Sequence, residues 1–178
     1  LGAVVEEKDP GFENPGEIFA KHWFPGAAYL LSTIPKEKHA LLDPGLVDTA
    51  RQGAAFSAME LLAAAQKRGE LGVHMQLFHQ EYDLLLTPTL PLAAFEAGRE
   101  VADVLKEKRW TDWSPFSYPF NLTQQPAASI PCGLTKDGLP VGLHIVGARY
   151  ADAPVLRPAR TVESRMPLAP PALSNLNK

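Results

Sequence analysis

Asp137-Gly138 constrains this chain more tightly than any other pair of neighbours in its 178 residues. The dipeptide suits a two-residue turn needing positive φ, so the segments on either side are expected to fold back as a hairpin. With those two residues as the loop, Ile130 falls opposite Ile145, Cys132 opposite Leu143 and Leu134 opposite Val141. The apolar side chains then share one face, and Ser129, Gly133, Gly142 and His144 share the other. The prolines agree, because Pro131 and Pro140 both land at non-hydrogen-bonded pairs, where a missing N–H breaks no bond to the partner strand.

Upstream, the punctuation is helical. Asn14-Pro15-Gly16-Glu17 reads as a start, with Asn14 as cap, Pro15 pre-set for the first turn and Glu17 three residues after the cap. Ile18, Phe19, Trp23 and Tyr29 follow at near-helical spacing. Asp43-Pro44 is a second start. That helix is expected to pause near Gly53, because Ser57-Ala58-Met59-Glu60 forms a capping box in which hydroxyl and carboxylate each satisfy an orphaned N–H. Leu61, Leu62, Ala65, Met75 and Phe78 trace its expected apolar stripe, interrupted by Gly69 and Gly72. Leu84-Leu85-Leu86 lacks alternation and ends at Thr87-Pro88, which suits a strand buried on both faces of a parallel sheet. A short helix is expected near Val101, Val104 and Leu105. Asp152 could cap a last helix through Val155, Leu156 and Val162, with Pro158 forcing a kink or a late start.

The composition excludes several function classes. Seventeen Lys and Arg against twenty Asp and Glu leave a formal charge of −3, without the clustered basic surface that nucleic acid requires. Lys106-Glu107-Lys108-Arg109 is the densest basic run and reads as a solvated helix end. No apolar stretch approaches the ~20 residues of a membrane span. A single Cys cannot make an internal disulfide, so a cytoplasmic location is the simplest expectation. With 13 Gly and 17 Pro the chain stays below the Pro and Gly content, about a quarter, that marks disorder. From Leu1 in place of Met, together with a Val4-Val5 that reads as structured, the polypeptide is expected to continue upstream, with a trimmed tag or processing as the alternative.

The chemistry legible from residue types alone is sparse. His74 and His79 are five apart and do not share a helical face, so no metal site and no cofactor are expected. Cys132 and His144 would make a thiolate-imidazole pair for acyl transfer, but the hairpin register sends them to opposite faces, and an apolar setting raises a thiol pKa. Ser32, Ser114, Ser117 and Ser129 have no adjacent Lys or His. No nucleophile elbow or phosphate-cradling loop is present.

The segments YDLLLTPTLP from Tyr82, PFNLTQQPAASIPCG from Pro119 and DGLPVGLHIVG from Asp137 together resemble the C-terminal part of the amidase signature family. The resemblance runs from about Glu6 to about Val162. It implies an α/β fold, a mixed sheet covered by helices, with the sheet incomplete in this chain; residues 1–166 would be the C-terminal part of the amidase domain and 167–178 a Pro-rich surface tail. It also implies hydrolysis of small-molecule amides by a Lys, a Ser on a cis peptide and a nucleophilic Ser, all further toward the N-terminus and none among these residues. This chain alone is then expected to be inactive, with no catalytic residue of its own.

What the family places in this part of its chain is strands, flanking helices and a wall of the substrate pocket. On that basis Trp113, Ser114, Phe116, Phe120 and Asn121 are candidate substrate-binding residues, with core packing the alternative for the aromatics and turn capping for Asn121. The expected partners are an N-terminal catalytic half, on the same or a separate chain, and a further copy of this chain. The alternative function is a non-catalytic binding or assembly module pairing with such a half. Two positions depart from the family: Gln124 stands where Gly usually follows the Thr, so a turn needing positive φ would differ or be strained, and Pro158 replaces a helix former.

Overall fold

The computed structural model describes residues 2–103, 105–107 and 109–167. It divides into two compact units, one of residues 1–82 and 118–124 and one of residues 83–117 and 125–178. Each is built by a different kind of local signal.

The first unit is helical. Helix α1 spans Gly16–Thr33, a 3-10 turn covers Lys36–Leu41, and α2 (Pro44–Ala54), α3 (Ala58–Glu81) and α4 (Tyr118–Thr123) follow. The Asp43 carboxylate accepts from the Leu46 N–H, which caps α2 as expected. Ser57 and Glu60 close the expected box: the Ser57 hydroxyl accepts from the Glu60 N–H, and the Glu60 carboxylate from the Ser57 N–H. At α1 the start moves by one residue, because Asn14 spends its carbonyl oxygen on the Gly16 N–H (2.9 Å) and the Tyr118 hydroxyl (2.7 Å). Glu17 closes no box there and pairs instead with Lys21 one turn along.

Packing corrects the stripe on α3. The buried residues are Ala64, Leu71 and Met75, whereas Leu61, Leu62 and Ala65 are exposed, Leu62 at 64%. A helix rich in Leu and Ala has several apolar faces, and the neighbours choose among them. Arg68 lies on the chosen face and donates through Nε to the Leu122 carbonyl at the end of α4 (2.7 Å). Gly69 and Gly72 do not interrupt the helix. Phe19 and Tyr118 stack with ring centroids 5.0 Å apart, and Gly53 lets α2 lie directly on the α1 backbone at Phe24 and Pro25. The start of the chain runs as an irregular arm along α3, tied by Tyr82 to Glu6 and by His74 to the Pro10 carbonyl, with Val4 and Val5 exposed.

The second unit holds a three-stranded antiparallel sheet, in spatial order β1 (Leu84–Pro88), β3 (Pro140–Gly147), β2 (Ala127–Leu134), and helix α5 (Asp152–Arg165). The parallel setting expected for Leu84-Leu85-Leu86 does not occur among the described residues: β1 pairs antiparallel with β3, its single strand neighbour.

The hairpin forms at Asp137-Gly138 with a shifted register. Its loop is Lys136-Asp137-Gly138, closed by Thr135 N–H to the Leu139 carbonyl (2.8 Å) and Gly138 N–H to the Thr135 carbonyl (3.0 Å), with Gly138 at φ +79°. This three-residue turn slips the strands by one, so Leu134 faces Pro140 and Gly133 faces Val141. A bulge at Cys132 slips them by one more, so Ile130 faces Leu143 and Ser129 faces His144. A one-residue slip exchanges the faces of a strand, and a second slip restores them. From Ala127 to Pro131 the expected faces therefore hold although the expected partners do not; between turn and bulge, where only one slip has accrued, they exchange, so Gly133 shares the side of Val141 and Leu134, 60% exposed, lies with Pro140 on the other. Gly147 N–H bonds to the Pro126 carbonyl, which sets the alternation and leaves Pro131 at a non-hydrogen-bonded pair.

The apolar face carries α5. Ile145, Val155 and Ala159 are buried together, with Leu84, Ala128, Ile130 and Leu143 packed around them. Full burial of an Ile or Val side chain contributes about 2 kcal/mol. Asp152 is the first helical residue, not the cap, and α5 runs from there through Pro158 without a late start. No helix forms near Val101 and Leu105; Val104 lies outside the described residues. There the Glu107 carboxylate accepts from the Ala102 and Asp103 N–H groups and Asp103 accepts from Leu105, satisfying the backbone with side chains.

Candidate functional site

The candidate wall residues are shared between the two units. Trp113 ends a 3-10 turn, Trp110–Trp113, inside the irregular segment that links β1 to α4. Its indole N–H donates to the Glu100 carbonyl (2.9 Å), and its ring meets Phe95 edge to face at 5.5 Å. Two separate contacts therefore fix one half-buried aromatic. Ser114 is 5% exposed, and its hydroxyl donates to the Trp110 carbonyl while its own carbonyl accepts from Ser117. Its oxygen serves the turn. Phe116 is half-buried in the same segment.

Phe120 and Asn121 belong to α4 in the helical unit. Phe120 is 4% exposed and packs edge to face on Phe12, in the core role named as its alternative. Asn121 is exposed, and its carbonyl accepts from the Gln124 N–H as the chain turns out of the helix. At that turn Gln124 takes φ +58°. The backbone conformation that suits Gly is kept by a residue with a Cβ, at a cost of about 1 kcal/mol.

Pairing also assembles a polar cluster that residue spacing alone does not reveal. Thr87, His144 and Ser129 lie in one cross-strand row on the face away from α5. Thr87 Oγ1 is 3.3 Å from His144 Nδ1, and Thr89 Oγ1 is 2.7 Å from Ser129 Oγ, next to Gly142. A Cβ at Gly142 would come within 2.6 Å of the Thr89 hydroxyl and 2.8 Å of the Ser129 hydroxyl, so a side chain there would collide with their contact. His144 is 6% exposed, and burial lowers its pKa. It is a neutral imidazole at neutral pH, able to accept or donate but carrying no charge. Ser129 and His144 were legible as residues of the polar face; Thr87 and Thr89 required the β1 partner.

Cys132 does not join this cluster. Its Sγ meets the Val141 carbonyl, and Val141 and His144, three apart in β3, point to opposite faces. Among the described residues no group of three or more His, Cys, Asp or Glu is placed to hold a metal ion, and no helix is long and apolar enough to cross a membrane.

The family model described as Amidase matches residues 24–156, most of the chain and parts of both units. The chain belongs to the Amidase family. An acylamidase of Rhodococcus erythropolis is 31% identical over 175 residues, which is 95% of this chain and 36% of the acylamidase. The structure of a 6-aminohexanoate cyclic dimer hydrolase superposes with a TM-score of 0.78 at 19% identity, over 93% of this chain and 38% of that one, and so shares the fold. A glutamyl-tRNA(Gln) amidotransferase subunit of Thermotoga maritima is 28% identical, with a TM-score of 0.63 over 88% of this chain and 34% of that one. This amidase-family chain thus spans about a third of the length of the proteins it matches.

Proposed function

We propose that this chain is the C-terminal portion of an amide hydrolase, acting on small-molecule carboxylic amides through an acyl-enzyme. The observation that carries the reading is the family match over residues 24–156, together with the third of the relatives' length that the chain spans. In the complete enzyme a Ser oxygen supplied by the N-terminal portion attacks the amide carbonyl carbon. The C–N bond breaks, the amine leaves with a proton delivered through the Lys and cis-Ser, and water then releases the acid. The N-terminal portion brings all three groups, on the same polypeptide or on a separate one, and this chain alone does not turn over.

In this reading residues 1–166 are the amidase portion and the protein acts in the cytoplasm; the expected tail, 167–178, lies outside the described residues from 168 onward. Trp113, Ser114, Phe116, Phe120 and Asn121 belong to the wall of the substrate pocket. Support for Trp113 is its fixed orientation between Phe95 and the Glu100 carbonyl, since a pre-set aromatic gives contact area at low entropic cost.

The test is hydrolysis of acyl anilides and short aliphatic amides by the purified chain, alone and mixed with the N-terminal portion of the Rhodococcus erythropolis acylamidase. The expected result is no turnover alone and turnover in the mixture. Turnover by the chain alone that disappears in Cys132→Ala would overturn the reading in favour of a cysteine hydrolase. Binding of the N-terminal portion without turnover favours the second reading, a non-catalytic assembly module.

A further inference from the structure

We draw no further inference here: the strongest candidate, the exposed apolar stripe that runs along α3 through Met59, Leu62, Val73 and Leu77 on the side away from the buried Leu71 and Met75, carries none because nothing in the structure shows what covers it.

Discussion

In the helical unit each element is started by side chains acting within four residues: Asp43 on Leu46, Ser57 and Glu60 on each other, Asn14 on Gly16. In the sheet unit the partner of Ile130 depends on everything between it and Leu143, because the offset of the turn and the offset of the bulge add. A cap is a local bond and tolerates its surroundings. A register is a running sum in which single errors exchange faces and paired errors cancel. The helical unit is therefore expected to lose stability in small increments, except where two backbones touch, and the sheet unit in steps.

The largest effect tests the cancelling slips. Inserting one Ala after Cys132 adds a third slip and turns Ser129 and Ala127 toward α5 and Ile130 and Ala128 away, an expected loss of about 4 kcal/mol or more. Deleting Lys136 as well restores the number of residues between the two strands and returns Ile130 to Leu143. Urea unfolding of the double variant should recover more than half of the loss, and a double variant worse than the single one would sink the account.

The next concerns the one place where the helical unit is not forgiving. A Cβ at Gly53 would meet the Phe24 carbonyl, which is backbone and cannot swing aside, so Gly53→Ala should cost about 3 kcal/mol. Gly69, with nothing near its Cβ position, is the contrast: Gly69→Ala should gain close to 1 kcal/mol from helix propensity. Equal effects at the two sites in thermal unfolding would remove the close α1–α2 crossing from the explanation.

Gln124→Gly should stabilise the helical unit by about 1 kcal/mol, relieving φ +58° at the end of α4. No gain in the unfolding midpoint would mean that the Gln side chain repays its strain.

The smallest effect is titration. Burial lowers the pKa of His144, so the unfolded chain binds the proton more readily. Stability is full above the ordinary His value of 6.5 and falls as pH drops below it toward the folded-state value. His144→Gln should flatten that slope. His79 in the helical unit is lowered by burial and pulled back by its bond to the Tyr82 carbonyl, so His79→Gln should flatten it too. A stability profile over this range that neither substitution changes would contradict both assignments.

Much of this was legible in the residues. The caps at Asp43 and Ser57 stand where their chemistry puts them, and Asp137-Gly138 makes its turn. The family itself could be read from the segments around Asn121, Pro131 and Gly142, and Gln124 was marked as a conflict that the backbone then realises. The candidate wall was less legible. Ser114 lends its hydroxyl to a turn and Phe120 packs on Phe12, and neither fact follows from residue type. Thr87 and Thr89 could not have been joined to His144 and Ser129 before the β1–β3 pairing was known.

By itself, then, the sequence determined the local punctuation, the two faces of the hairpin on the far side of its bulge and the family, because each depends on neighbours a few residues apart or on a motif carried whole. Tertiary structure decided the face of α3 that is buried, the two slips that align β2 with β3, and the antiparallel setting of β1. Those outcomes compare free energies between segments distant in the chain, where several arrangements satisfy the same local pattern and packing selects one of them.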